Sequence, residues 1–433
     1  LWYFPGYSLL LSPLYLISEN PLWLLSAFQW TSAILFMIGA YFWARTIVPK
    51  WAVWIAAIAV VNQGVWIHCA RTMSEVPFMC GLIWSANAAR WAQRSRSWGQ
   101  AVPRGLLAAA LLALTALIRP AGILLAVGVG LQLGWKAFQK ETTWPRAIVL
   151  TLLIGIPGSL AIAGFLTMDR IAAAHEHGRT YLSNFSDSAA NPVASYLEGL
   201  RLAIRDSGRV IIPGMFKAYQ ERGWLDLNLL VYLPACLALS VGWRRLVGLT
   251  SDALLLMTPF YVLLYVVYPY EAGARFYIPL LPVFAASLIP LLPALPAPRR
   301  LVVAGVFAAH FALAAGYWLG PDSARGRAAM LRWSEIEPIA ESITHKQDQV
   351  AAWDVSGDDV FILELLLDRR VPVTRPESVP SSAEWVLAKR DAVTIPQFEP
   401  CVETRSLRLL RRHLEPGEEP SSRPHAPRGY LAQ

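Results

Sequence analysis

Gly64 to Trp84 reads GVWIHCARTMSEVPFMCGLIW, and the fold turns on the five residues at its centre, Arg71-Thr72-Met73-Ser74-Glu75. Two apolar runs flank this polar break. Ionisable side chains at the boundary of a membrane-spanning segment are costly to keep, so they carry a functional hypothesis together with a named partner. For Arg71 and Glu75 that partner is either the other charge or a substrate headgroup.

Outward from this break, apolar stretches long enough to cross a hydrocarbon core of about 30 Å recur near 22–44, 51–68, 75–92, 105–118 with 120–138, 147–168, 227–243, 253–269, 276–294 and 301–319. The 105–118 run is short by itself. Arg119-Pro120 is therefore read as a tight turn between two spans, the alternative being a kinked re-entrant pair, because proline breaks the helical ladder. The 433 residues are 55% hydrophobic and 16% charged, well to the apolar side of soluble domains. The expected fold is an all-α polytopic membrane bundle of about ten spans, with one more expected upstream of Leu1, and a small C-terminal α/β extracytoplasmic domain.

The net charge of +8 reports topology and implies no nucleic-acid partner. Thirteen of the 38 basic residues fall in alternate short loops around 45–50, 90–104, 136–146, 244–252 and 299–300, where the only acids are Glu141 and Asp252. Elsewhere acids outnumber bases. Basic short loops face the cytoplasm, which puts 71–75, Arg119, the 169–226 segment, Glu271 to Arg275 and everything after 320 outside. Residues 1–20, rich in aromatics, are read as the interfacial end of a first outer loop, and 21–320 as the membrane domain. Tyr196, Leu197, Leu200, Ala203 and Ile204 recur at helical spacing within 169–226 and predict an amphipathic helix packed over the bundle.

Beyond 320 the composition becomes that of a soluble unit spanning 321–413. A helix at 326–346, a strand at 349–353, a helix at 357–368 and strands at 371–374 and 384–388 are expected there. The proline-rich tail 414–433 reads as disordered. Cys69, Cys80, Cys236 and Cys401 have neither metal-ligand spacing nor a disulfide framework; they read as apolar fillers, with a Cys69–Cys80 bridge as the alternative. His175-Glu176-His177 lacks a third ligand at a useful spacing, and a solvated helix face is the better reading. His68 and His310 read as packing residues.

Four short motifs occur in order. Tyr3-Phe4-Pro5-Gly6-Tyr7 is followed by Ser8 and three leucines; Arg71-Thr72-Met73-Ser74-Glu75 opens a span; Leu117-Ile118-Arg119-Pro120-Ala121-Gly122 forms a turn; and Arg275-Phe276-Tyr277-Ile278-Pro279-Leu280-Leu281-Pro282 begins another span. Together they resemble the PPGY-like segment, second outer loop, TRPEG turn and RYLLPLLP segment of the GT-C superfamily of membrane glycosyltransferases, the group of protein mannosyltransferases and aminoarabinose transferases. The resemblance covers roughly 1–320.

It implies an integral-membrane enzyme of the cell or inner membrane. Such an enzyme moves a sugar from a polyprenyl-phosphate donor to an envelope glycan, lipid or protein acceptor at the outer face. Its chemistry needs a general base near the acceptor and cations for the departing lipid phosphate, a role arginine suits through its bidentate fork. Glu75 is the candidate secondary carboxylate; the principal aspartate of the superfamily would lie before Leu1. Arg71, Arg119 and Arg275 are candidate phosphate contacts, and Tyr3, Tyr7, Glu271 and Tyr277 candidate substrate contacts. The structural alternatives are plain. Glu75 would follow a Ser74 helix cap with Arg71 as local partner, the other arginines would snorkel to the interface, and Glu271 would pair with Arg275. No cofactor is required, and a divalent cation has no support in the sequence. Rival readings are a transporter or flippase of lipid-linked sugars, which needs ionisable residues near mid-membrane, and a non-catalytic relative of the transferases.

Overall fold

The computed structural model describes residues 5–17, 22–70, 74–176, 192–211, 227–267 and 273–294, scattered positions from 301 to 363, and residues 373–374, 385–390, 398–404 and 406–412. The chain divides into two compact units, Leu1–Gly320 and Pro321–Gln433.

The first unit is helical: α1 (Pro5–Ile17), α2 (Leu22–Ile47), α3 (Ala52–Val61), α4 (Gln63–Ala70), α5 (Glu75–Gln93), α6 (Trp98–Ile118), α7 (Leu124–Phe138), α8 (Trp144–Glu176), α9 (Pro192–Ile211), α10 (Leu227–Leu249), α11 (Ala253–Val266) and α12 (Leu281–Leu288). Among the described residues five helical stretches are long and apolar enough to cross a membrane: Trp23–Ile47, Trp98–Ile118, Pro120–Phe138, Trp144–Met168 and Ala274–Leu291. The centre is built from α5, packed between α2 and α6, with α8 against α6 and α7 against α11. Small residues make this closeness possible: Ala40, Ala44, Ala86, Ala88, Ala89, Ala108 and Ala109 are all buried. Without a strong hydrophobic drive in lipid, close backbone approach through small side chains is what holds such helices together.

The helices define two ends. With 19 residues at 1.5 Å each, α5 carries the chain about 28 Å from Glu75 to Gln93, and α6 returns it to Arg119. At the far end Arg90 of α5 pairs with Asp252, which also accepts from the Trp43 indole at 2.9 Å and caps α11 by accepting from Leu254 N at 3.1 Å. This buried cluster ties α2, α5 and α11 together.

Several expectations change. The 105–118 run is part of a longer helix that begins at Trp98 and contains Pro103 near its start, and Arg119-Pro120 is the tight turn after it. The 51–68 run is two helices broken at Asn62, whose ψ of 123° is extended. Its side chain stabilises the break by accepting from Gly64 N at 2.9 Å and donating to the Val210 carbonyl at 3.1 Å. The 276–294 run is cut into short 3-10 turns around α12 by Pro279, Pro282, Pro290 and Pro293. The start of the 169–226 segment continues α8 to Glu176. Residues 5–17 form a helix docked on α6, where a Cβ on Gly6 would sit 2.5 Å from the Leu117 carbonyl carbon. Only glycine fits there, because the neighbour is backbone.

The amphipathic helix within 169–226 exists as α9, but with a different inner face. Tyr196, Leu197 and Leu200 are exposed, whereas Gly199, Ala203, Asp206 and Val210 turn inward. A Cβ on Gly199 would lie 1.9 Å from the Val266 carbonyl oxygen, so the smallest residue, rather than the most apolar ones, sets the contact. Cys69 and Cys80 are free thiols; the bridge between them does not form.

The second unit contains a five-stranded sheet of β1 (Val350–Trp353), β2 (Val373–Thr374), β3 (Trp385–Lys389), β4 (Phe398–Glu403) and β5 (Leu407–Arg412), ordered β2-β1-β3-β5-β4. The first three strands pair in parallel and the last two antiparallel. Ile336, Ile339 and Leu363 pack with Val350, Leu387 and Leu409 in its core. Strands β1 to β3 match expectation, and β4 and β5 are additional. The 414–433 tail, most of the 357–368 helix and His310 lie outside the described residues.

Candidate functional site

Three of the four motifs meet at the Glu75 end, and the fourth packs beside them. Glu75 is the first residue of α5 and only 2% exposed. Its Oε1 lies 2.5 Å from an Nη of Arg119 and 3.9 Å from Nε of Arg275. Arg119 sits in the extended turn between α6 and the 3-10 turn Pro120–Ile123, which aims its side chain back at the start of α5. From there its Nε and Nη2 also donate to the Ser74 hydroxyl at 3.3 and 3.2 Å. One guanidinium therefore grips two consecutive residues of the polar break.

This overturns the expected Ser74 cap. Ser74 has helical backbone angles and makes no side-chain capping bond, because its hydroxyl serves Arg119 instead. Arg71 lies outside the described residues, as do Tyr3 and Glu271, so the Glu271–Arg275 pairing is not described.

Phe276 stands between the two arginines. The Arg119 and Arg275 guanidinium carbons each lie 4.9 Å from its ring centroid, and Arg119 is 5.9 Å from the Phe78 ring. The aromatic faces stabilise the cations while leaving their edges open for anions. Beneath, Tyr261 donates to the Phe276 carbonyl at 2.9 Å, and Tyr265 packs on Phe276 and Tyr277 at 4.9 and 5.8 Å. Tyr277, expected to contact substrate, is 1% exposed; it supports the site from within. Tyr7 is half-buried and its hydroxyl accepts from Gln29 at 2.7 Å, one residue from the Gly6 contact with the end of α6.

The two arginines differ. The Arg275 side chain is 47% exposed and that of Arg119 only 14%. Nη1 of Arg119 is buried without a hydrogen-bond partner among the described residues. Leaving a charged donor unsatisfied is costly, and an anionic oxygen would satisfy it. A divalent cation fits poorly at Glu75, because two guanidiniums stand where further oxygen ligands would have to be. No group of three metal-ligating residues occurs among the described residues, and the His175-Glu176-His177 side chains lie outside them.

A second buried carboxylate went unnoticed in the sequence. Asp206 of α9, 1% exposed, accepts from Arg205 at 2.9 Å and Arg209 at 3.4 Å, and lies close enough to Tyr277 to act on it electrostatically. Its only sequence signal is the Arg-Asp-x-x-Arg pattern at 205–209, which an exposed helix would share. At the rim, Glu198 pairs with Arg201 at 2.5 Å, a bond that holds its carboxyl below the usual range.

No protein-family model and no curated protein matches the sequence. Solved structures do. ArnT from Cupriavidus metallidurans bound to undecaprenyl phosphate aligns over 94% of this chain and 88% of its own, with a TM-score of 0.52 and 12% identity. Its apo state aligns over the same shares at 0.50. The archaeal oligosaccharyltransferase AglB from Archaeoglobus fulgidus reaches only 0.46, over 90% of this chain and 61% of its own at 10% identity, too distant to inform the site. By architecture the chain has the fold seen in ArnT, a likeness consistent with the superfamily resemblance carried by its four motifs.

Proposed function

We propose that this protein is an integral-membrane glycosyltransferase that moves a sugar from a polyprenyl-phosphate donor to an envelope acceptor at the outer face, through a bundle of about ten spans with the C-terminal unit outside. The observation that carries the reading is Arg119: a guanidinium fixed by Glu75 and Ser74, flanked by Phe78 and Phe276, with a buried Nη1 still to be satisfied. A lipid phosphate supplies the missing acceptor, and the exposed Arg275 closes on its other side. Arginine keeps its charge near lipid and binds phosphate with two parallel bonds. The likeness to an ArnT structure bound to undecaprenyl phosphate supports a polyprenyl phosphate as the ligand.

In this reading the two cations stabilise charge that develops on the departing phosphate, which lowers the barrier only if they are aimed beforehand. Glu75 does the aiming. Its carboxylate is engaged by Arg119 and nearly inaccessible, so it positions the phosphate-binding arginine rather than removing the acceptor proton. The transporter reading is weaker, because the buried charged residues among those described are Glu75, Arg90, Arg205, Asp206 and Asp252, all at helix ends or on α9. A carrier would place some at mid-membrane.

Polyprenyl phosphate binding to the purified protein, followed by native mass spectrometry, tests the assignment. Binding should weaken about tenfold or more in Arg119→Lys, which keeps charge but loses the fork, and in Arg275→Ala. Equal binding by all three proteins would refute it.

A further inference from the structure

A separate basic groove lies at the other end of the bundle. There the start of α6, the end of α7 and the start of α8 surround an open cavity of about 950 Å³ whose lining includes Trp98, Phe138, Lys140, Trp144 and Arg146, with Glu141 as its one carboxylate. The Arg146 guanidinium lies 5.8 Å from the Trp98 ring and donates to the Ser95 carbonyl. Arg104 donates to the hydroxyl of the same serine at 3.1 Å. Lys140 adds a third cation from a left-handed turn residue with φ of 62°. Among the described residues none of these three cations has a carboxylate within ion-pair distance.

Two apolar stripes lead away from this groove. Trp98, Val102 and Leu106 on α6, and Trp144, Ile148 and Leu152 on α8, recur every four residues and are all exposed. Residues at that spacing share one helix face, so each stripe starts at a tryptophan beside the cations and runs toward the middle of the bundle. Tryptophan favours the headgroup level, and basic pockets between helices at that level suit phosphate-bearing lipids.

We infer that this groove binds one anionic phospholipid. Its phosphate would lie between Lys140 and Arg146, with Arg104 nearby on Ser95, and its acyl chains along the α6 and α8 stripes. The assignment rests on these helices crossing a bilayer but not on sugar transfer, and its test uses no sugar donor. The ligand chemistry is a phosphate ester, which a free phosphate ion shares; the stripes favour the lipid.

The experiment uses delipidated protein in neutral detergent, titrated with phosphatidylglycerol or phosphatidylcholine and read by native mass spectrometry. Phosphatidylglycerol should bind in preference. Loss of one surface cation in Lys140→Ala should weaken it about fivefold, and Lys140→Ala with Arg146→Gln about thirtyfold, at roughly one unit of electrostatic attraction per basic residue. Lys140 sits on an exposed turn, so its single substitution keeps the test valid if the double variant misfolds. Equal retention of both lipids, or unchanged phosphatidylglycerol affinity in Lys140→Ala, overturns the proposal. Displacement of the lipid by millimolar inorganic phosphate would also overturn it, by showing an ion site.

Discussion

Replacing Arg119 with alanine removes three things at once: the 2.5 Å ion pair with Glu75, two bonds to the Ser74 hydroxyl, and the packing of a cation on Phe78 and Phe276. Breaking a buried ion pair by deleting one partner costs about 3–5 kcal/mol, because the remaining charge is left uncompensated. Here Arg275, 3.9 Å from the same oxygen, takes over part of the compensation, which places the cost near 3 kcal/mol. Each of the two cation–aromatic contacts adds about 0.5–1 kcal/mol, so the whole effect should be about 4–5 kcal/mol. The pairwise part can be isolated in a double-mutant cycle with Glu75→Gln, read by equilibrium unfolding in mixed micelles. A coupling of about 2 kcal/mol is expected. If the two substitutions add to within about 0.5 kcal/mol, as independent sites do, Glu75 does not orient Arg119 and the reasoning fails.

Removal of the Asp252 carboxylate in Asp252→Ala should destabilise the bundle by about 3 kcal/mol or more, since Arg90 would be stranded; its melting temperature in detergent reads this. That same carboxyl gives a pH signature. Burial alone would raise it, but Arg90 and the bonds from Trp43 and Leu254 hold it below the usual range. A lowered native value means that its contribution is complete above about pH 4, the unfolded value, and fades as acid takes the pH through the native one. Acid titration should show this loss in wild type and a flatter profile in Asp252→Asn. Gly199→Leu should detach α9, because a side chain there meets the Val266 carbonyl; protease cleavage within 192–211 should accelerate, while Glu198→Gln at the exposed rim should leave it unchanged.

The helical class, the positions of most apolar runs and the residue types of the Glu75 site were all legible in the sequence, because apolar length and isolated charges are local signals. Partner choice was not. Arg71, four residues away, is only one of the partners the sequence offers Glu75, whereas its described partners are Arg119, brought across by the α5–α6 return, and Arg275. Ser74 has the composition of a cap yet spends its hydroxyl on the same arginine. Asn62 breaks a helix because Val210, far along the chain, offers it a carbonyl. Strand β4 was hidden by Pro400 and by the irregular register between Pro400 and Val402, tolerated because β4 is an edge strand. In β5, Leu407 and Leu409 alternate with Arg408, a two-residue period that was available but brief.

The most direct measurement is release of polyprenyl phosphate from a labelled polyprenyl-phosphate sugar by purified protein in liposomes supplied with envelope acceptor fractions. Wild type should give acceptor-dependent release, with a loss of about tenfold or more in both Arg119→Ala and Glu75→Gln at equal folded protein. Translocation of the labelled lipid across the liposome with no release from any acceptor fraction would contradict this and favour the flippase.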